Sequence, residues 1–197
     1  MKYLIGFLML LTSLMGTAAL NDMPSGEYGL DKTHGYINFS YSHFGFSNPH
    51  VGFTSFSVSV NLDAANPAES SLEVEIDVKS IDSRVEIFNE HLLGEKYFNE
   101  KQFPKITFES THIEFVDEDT AKITGELTIK GIAKTITLDA TLNKAAVHPL
   151  KKVPTLGVSA LAHVNRSDWD LKVAVPFVSD AVEILIEVEL PQVTSDK

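Results

Sequence analysis

Hydrophobic and polar residues alternate along most of this chain. Leu72, Val74, Ile76 and Val78 interleave with Glu73, Glu75, Asp77 and Lys79. Near the C-terminus Val182, Ile184, Ile186, Val188 and Leu190 interleave with Glu183, Glu187 and Glu189. The same period runs through Ile123, Leu127 and Ile129, and through Ile136, Leu138, Ala140 and Leu142. Successive side chains leave a strand on opposite faces, so period two with one apolar face predicts half-buried β-strands. Shorter runs follow the same rule: Ile37, Phe39 and Tyr41; Phe56, Val58, Val60 and Leu62; Ile106 and Phe108; Leu156, Val158 and Ala160. The total is about eight strands, the usual number for a barrel whose interior holds a core or one small ligand.

Turn residues separate the runs at Asp63-Ala64-Ala65-Asn66-Pro67, Asp117-Glu118-Asp119 and Lys130-Gly131. Short polar or Gly turns between alternating segments predict consecutive antiparallel pairing. Residues 143–154 read as a longer loop. One segment breaks the rhythm. Ser83-Arg84-Val85-Glu86 matches a capping box, with Ser at the N-cap and Glu three residues on. Val85, Phe88 and Leu92 follow near helical spacing, and Gly94 supplies a stop. A helix over residues 84–93 is expected, inside a connection spanning 81–104. A connection that long in a compact barrel is often a binding loop or lid.

The first 19 residues read differently. Lys2 precedes an apolar stretch from Tyr3 to Met15, and the small residues Gly16, Thr17, Ala18 and Ala19 follow. That is the pattern of a cleaved export signal, and the stretch is short of the ~20 apolar residues of a membrane anchor. Residues 1–19 are therefore expected to be a signal peptide and 20–197 one domain, with cleavage after Ala18 or Ala19 and a periplasmic destination. The chain has no cysteine, which excludes disulfides, thiol chemistry and lipid attachment at a cysteine. The formal net charge is −11, with 27 acidic residues. An acidic chain lacks the basic footprint that nucleic acid requires and is not drawn electrostatically to anionic lipid.

Several short motifs occur in order along this domain. They begin with Tyr28-Gly29-Leu30-Asp31 and His34, then Asn38-Phe39-Ser40-Tyr41-Ser42-His43-Phe44-Gly45-Phe46. Gly52-Phe53, Phe56, Ser80-Ile81-Asp82-Ser83, His91-Leu92, Tyr97-Phe98 and Phe103-Pro104-Lys105-Ile106-Thr107-Phe108 follow. Gly125-Glu126-Leu127-Thr128-Ile129-Lys130-Gly131 and Asn165-Arg166-Ser167-Asp168-Trp169 complete the series. In this order the chain resembles the YceI-like family of periplasmic polyisoprenoid-binding proteins, over about Tyr28 to Glu189. The resemblance implies an all-β fold: an extended eight-stranded antiparallel lipocalin-like barrel, with one short helix in a long lid connection. It also implies an apolar tunnel for a long lipid tail, dimer formation, and no catalytic machinery. Two positions depart from the family pattern. Phe88-Asn89-Glu90-His91-Leu92 stands where the family has Arg-Asp-x-His-Leu, and Asp170 stands where a glycine is usual.

Phenylalanine is abundant, at 12 residues. Phe39, Phe53, Phe56, Phe88, Phe98, Phe103 and Phe108 are expected to line the tunnel with Tyr41, Val58, Ile76, Leu92, Leu127, Ile129 and Trp169. Taken singly, each is more simply a core residue, since aromatics dominate cores generally. His43, His91 and Arg166 are the candidates to meet a lipid head group. Arg166 could instead pair with Asp168 to fix a barrel edge, and Asp31 and His34 read the same way. The histidines form no HxH, HxxxH or HExxH spacing, so no metal site is expected. Gly157-Val158-Ser159-Ala160-Leu161 lacks the last glycine of a nucleophile elbow. The leading expectation is a non-catalytic binder or carrier of a polyisoprenoid or isoprenoid quinone. It needs no cofactor, nucleic acid or membrane anchor after signal cleavage. The alternatives are an exported stress-related protein with a filled core acting through a protein partner, and an enzyme acting on a lipid head group.

Overall fold

The structure is a computed structural model that describes residues 18–194. The expected signal peptide therefore falls almost wholly outside the described residues. A short helix, α1 (Ala18–Asn21), precedes eleven strands of one antiparallel sheet. They are β1 (Gly26–Gly29), β2 (Gly35–His43), β3 (His50–Phe53), β4 (Phe56–Leu62), β5 (Ser71–Asp77) and β6 (Ile81–Asp82). After helix α2 (Glu86–Leu93) come β7 (Lys105–Phe115), β8 (Thr120–Ile129), β9 (Ile132–Val147), β10 (Pro154–Asn165) and β11 (Val178–Pro191).

Eleven strands and an expected eight are reconciled by three interruptions. β1 and β2 are one run broken at residues 30–34, where Asp31 Oδ1 accepts the Thr33 N–H at 3.0 Å and turns the chain. β3 and β4 are one run broken at Thr54 and Ser55, and β5 and β6 one run broken by the 3-10 turn Val78–Ser80. Each of the resulting eight runs pairs with the next. The last returns to the first, with Ile186 opposite Ile37 and Ile184 opposite Phe39. Across the break, the Asp31 N–H donates to Glu189 O at 2.9 Å, and Tyr28 bridges Gln192. The sheet thus curls into an up-and-down barrel, which removes the unpaired edges an open sheet would present.

Strand β11 shows how the interior is divided. Its inward residues Val188 and Leu190 are buried, whereas Ile184 and Ile186 are only half-buried. The buried pair belongs to a cluster with Leu20, Met23, Tyr28, Val58, Leu62, Ala64 and Leu156 that fills one end of the barrel. The half-buried pair packs against a second cluster, toward the other end, that includes Ile76, Phe108, Leu127 and Trp169. Ile184 and Ile186 remain partly accessible because they face an internal space.

Local chemistry fixes the hairpins. Lys130 and Gly131 both have positive φ, 52° and 71°, between β8 and β9. That is the geometry of a type I′ turn, whose twist matches that of the strands. Gly125, in the middle of β8, leaves no space for a side chain. A Cβ there would lie 2.4 Å from Glu109 O and 2.4 Å from the Phe108 ring.

Two expected boundaries move. The strand β9 continues to Val147 through the residues expected to form a loop, so the loop is 148–153. The register shift at Gly157/Val158 leaves Asn143 as an extra residue and lets Ala145 and Ala146 stay in the ladder. Helix α2 starts at Glu86 rather than at Arg84, because Arg84 is left-handed (φ 64°). No capping box forms. The Ser83 N–H and hydroxyl both donate to Asn89 Oδ1 instead. Gly94 does end the helix, but in extended conformation rather than the left-handed one.

Candidate functional site

The ends of β2, β8 and β10 and the starts of β3, β7, β9 and β11 meet at the unfilled end of the barrel, with α2 and the segment after it lying across. Inside is a cavity of about 620 Å³. Its wall is almost entirely hydrocarbon and draws on nearly every strand. Of the expected lining residues, Phe39, Tyr41, Phe53, Ile76, Phe88, Leu92, Phe98, Phe108, Leu127, Ile129 and Trp169 face it. Phe39 forms an aromatic cluster with Phe53 and Phe98, at ring distances of 5.9 and 6.3 Å. Trp169 is fully buried and donates its indole N–H to Leu127 O at 3.2 Å, which fixes the ring in the wall.

Three expected lining residues lie elsewhere. Val58 belongs to the filled end. Phe56 packs against both clusters and forms part of the floor between them. Phe103 precedes β7 and does not line the cavity; its ring edge comes within 3.0 Å of the Cβ position of Gly131. The alternation in this strand begins only after Pro104, so Phe103 had no register of its own in the sequence. In return, the sequence left out Tyr97, Val164, Ile184 and Ile186, which line the cavity. The last two were placed correctly on an inward face, but only the filling of the other end tells which inward residues border open space.

The lid connection is anchored by buried Leu92 and Phe98. The Phe98 N–H donates to Leu92 O at 3.0 Å and the Glu100 N–H to Leu93 O at 3.0 Å, folding the segment back on the helix. At the mouth the surface becomes apolar. Phe46 is 92% exposed, Phe177 69%, Ile87 61%, and Phe44 and Val85 52% each. Phe44 stacks on Phe177 at 6.1 Å, and its N–H donates to Phe177 O. Phe44 and Ala174, both lining the mouth, have positive φ (51° and 62°). Side chains of this kind enter that region only where surrounding contacts hold them.

The three candidate head-group residues are not brought together alike. His43 lies at the exposed end of β2, edge-on to Phe44, and borders the mouth. His91 is exposed on the outer face of α2 and does not line the cavity. Its helix turns Phe88 and Leu92 inward, which leaves 91 outside. Arg166 does line it, at the end of β10, but its guanidinium is largely committed. Nε donates to Ser179 O at 2.8 Å, Nη2 to Val173 O and Val178 O at 2.9 Å each, and Nη1 to Leu171 O. The expected pair with Asp168 is not made. Asp168 is exposed, and Asp180 supplies the nearby negative charge while accepting hydrogen bonds from Ser167. Arg166 thus ties the start of β11 and the 171–178 segment to the end of β10. Burial pulls its basicity down, and Asp180 partly offsets that.

A second polar cluster lies at the break between β1 and β2. Asp31, His34 and Glu189 place ligand atoms within 4.8 Å of one another. Asp31 and His34 are already engaged, whereas Glu189 Oε2 is buried without a hydrogen-bond partner among the described residues. The Lys151 ammonium pairs with Asp31, and His34 Nδ1 bonds Asp31 Oδ2 at 2.9 Å. His148 Nδ1 accepts the Leu150 and Lys151 amides, so its Nε2 carries the proton and faces Glu189 Oε2 at 3.8 Å. The cluster joins the first and last runs and the 148–153 loop. The Lys151 ammonium, with Thr33 and His34, holds the Asp31 carboxyl far below the usual carboxylate range.

The family departures have local explanations. Asn89 retains an acceptor oxygen that holds Ser83. Asp170 ends the Arg166–Trp169 turn at φ 58°, ψ 28°, a left-handed position that glycine adopts without strain and Asp tolerates.

Comparison with known proteins agrees with this architecture. A curated protein named as a UPF0312 protein, from Yersinia pestis (strain Pestoides F), is 30% identical over 185 residues, covering 93% of this chain and 94% of its own. The crystal structure of BcnA from Burkholderia cenocepacia superposes with a TM-score of 0.74 at 25% identity, over 81% of this chain and 98% of that one. A polyisoprenoid binding domain from Saccharophagus degradans, described as implicated in plant cell wall breakdown, superposes with a TM-score of 0.65 over 84% of this chain and 98% of its own. At 14% identity it speaks to the fold alone. The model of the YceI-like domain matches residues 28–190, nearly the whole barrel, and the chain belongs to that family.

Proposed function

We propose that this protein is an exported, non-catalytic binder and carrier of a long apolar lipid, a polyisoprenoid or an isoprenoid quinone, held with its tail in the barrel. The observation that carries this reading is the carbon-lined cavity of about 620 Å³, open at one end and floored at the other. Its size falls within the range of roughly 300–1,000 Å³ typical of small-molecule sites. Each buried methylene contributes about 0.8 kcal/mol, so about ten buried carbons suffice for micromolar affinity before association costs. Recognition of the tail then needs no polar contact. The YceI-like barrel of the chain supplies the closed fold in which such a tail can be enclosed. The leader pattern of residues 1–19 supports a periplasmic site of action.

The patch of exposed Phe44, Phe46 and Phe177 beside the mouth fits the transfer step, since a long apolar tail resides in a lipid phase and must leave it at this opening. A filled-core protein acting only through a partner has no use for the cavity. An enzyme would need converging acid, base or nucleophile, whereas His91 points away and Arg166 is bonded to main-chain carbonyls.

Trp169 is the one tryptophan of the chain and part of the wall, so it reports occupancy directly. Titration of the delipidated protein with a prenyl quinone should quench Trp169 saturably at about one ligand per chain. Quenching that stays linear with quinone concentration contradicts the proposal.

A further inference from the structure

Of the polar residues in the cavity wall, Tyr41, Tyr97 and Arg166 stand near one another, whereas Asn38, His43 and Ser83 are the others. Tyr41 lies opposite Val182 on β11, and Arg166 is fastened to Val178 and Ser179 just before it on the same strand. Tyr97 faces them from the lid, close enough for all three to influence one another electrostatically. Tyr28 donates its hydroxyl to Pro24 O. Tyr41 and Tyr97 have no such partner among the described residues. A guanidinium carries five N–H donors, and four of those on Arg166 are used by main-chain carbonyls, which leaves one on Nη1.

We propose that Tyr41, Tyr97 and this remaining N–H of Arg166 form a head-group subsite for a neutral hydrogen-bond acceptor, a carbonyl oxygen of quinone, ester or amide type. The proposal rests on the cavity being a lipid site. The subsite offers donors and no strong acceptor, so a carbonyl is matched better than a hydrocarbon end. A phenol is a hydrogen-bond donor at neutral pH, and burial only moves the Tyr41 hydroxyl further from ionisation. A diphosphate is disfavoured. Arg166 is the one cation among the lining residues, its charge is already spread over four carbonyls, and Asp180 lies beside it. Phosphate recognition ordinarily calls for several uncommitted basic groups. The subsite lies at the mouth end, so the head would sit under the lid with the tail directed toward the floor at Phe56.

The test uses the delipidated protein loaded with the neutral dye N-phenyl-1-naphthylamine. The dye is displaced in turn by decylubiquinone, squalene, geranylgeraniol and geranylgeranyl diphosphate. Tyr41→Phe and Tyr97→Phe are combined, because each keeps its ring and its packing. Arg166 is left alone, since its bonds hold the barrel end. Loss of two neutral hydrogen bonds should weaken the quinone about tenfold and leave squalene unchanged, and the diphosphate should bind more weakly than its alcohol. A quinone affinity that does not change in the double variant overturns the subsite, as does an equal loss for squalene or a diphosphate that binds more tightly than the alcohol. If neither the dye nor any of the four lipids binds the wild-type protein, the lipid cavity itself fails and the subsite falls with it.

Discussion

Gly125 lies opposite Ser110 on the β7–β8 ladder, and the ring of Phe108 lies over it with no room for one further methyl group. Gly125→Ala should therefore cost about 1–3 kcal/mol, measured by chemical denaturation, with Phe108 displaced into the cavity. Asp31 makes a different residue-scale prediction. Its folded-state pKa is depressed by Lys151, so an unfolded chain, with Asp near ~3.9, takes up the proton first. The stabilisation is complete above that value and is lost as pH falls toward the lower folded value. Asp31→Asn should lower stability at neutral pH by about 1–2 kcal/mol and flatten the decline below pH ~4. An unchanged acid limb would show that the Lys151 pair does not contribute. Residues such as these were visible in the sequence only as motif members. Spacing gives no hint that Gly125 is needed for an aromatic ring from the neighbouring strand, or that Asp31 meets a lysine 120 positions away.

At the scale of elements, the strands were readable because one face of each is buried and the other wet, so the period of two survives in the residues. The long runs of β5, β8 and β11 carry it clearly. The reading failed where local bonds decide the outcome. Ser83 has the right neighbours for a capping box, yet Asn89 takes its hydroxyl and N–H, and the helix starts later. The end of β9 looked like a loop because Ala145 and Ala146 have little apolar character, yet pairing with β10 holds them in the sheet. The rim elements make a kinetic prediction. Phe46→Ser with Phe177→Ser should slow lipid transfer from vesicles severalfold and leave the bound amount at equilibrium unchanged. A loss of capacity without a loss of rate would place these rings in the binding wall instead.

For the molecule as a whole, parity showed which residues point inward but not where the interior is full. Val58 and Ile184 obey the same alternation, yet one is packed under Leu20 and Met23 and the other borders open space. The cavity therefore emerges from how the two ends are filled, a property of the closed barrel and of no single strand. Filling the space should separate folding from binding. Val74→Phe with Ile184→Phe adds bulk to an empty region, so stability should change by less than about 1.5 kcal/mol while lipid uptake falls at least tenfold. Unaltered uptake would mean that the tail does not enter there. The central claim is that the barrel carries a long apolar lipid, and it is tested most directly by lipid extraction and mass spectrometry of the protein purified from the cells that make it. The account predicts one long-chain isoprenoid or quinone per chain, absent from the cavity-filled variant. A protein that carries no lipid, and takes none from vesicles when it is offered, would contradict it.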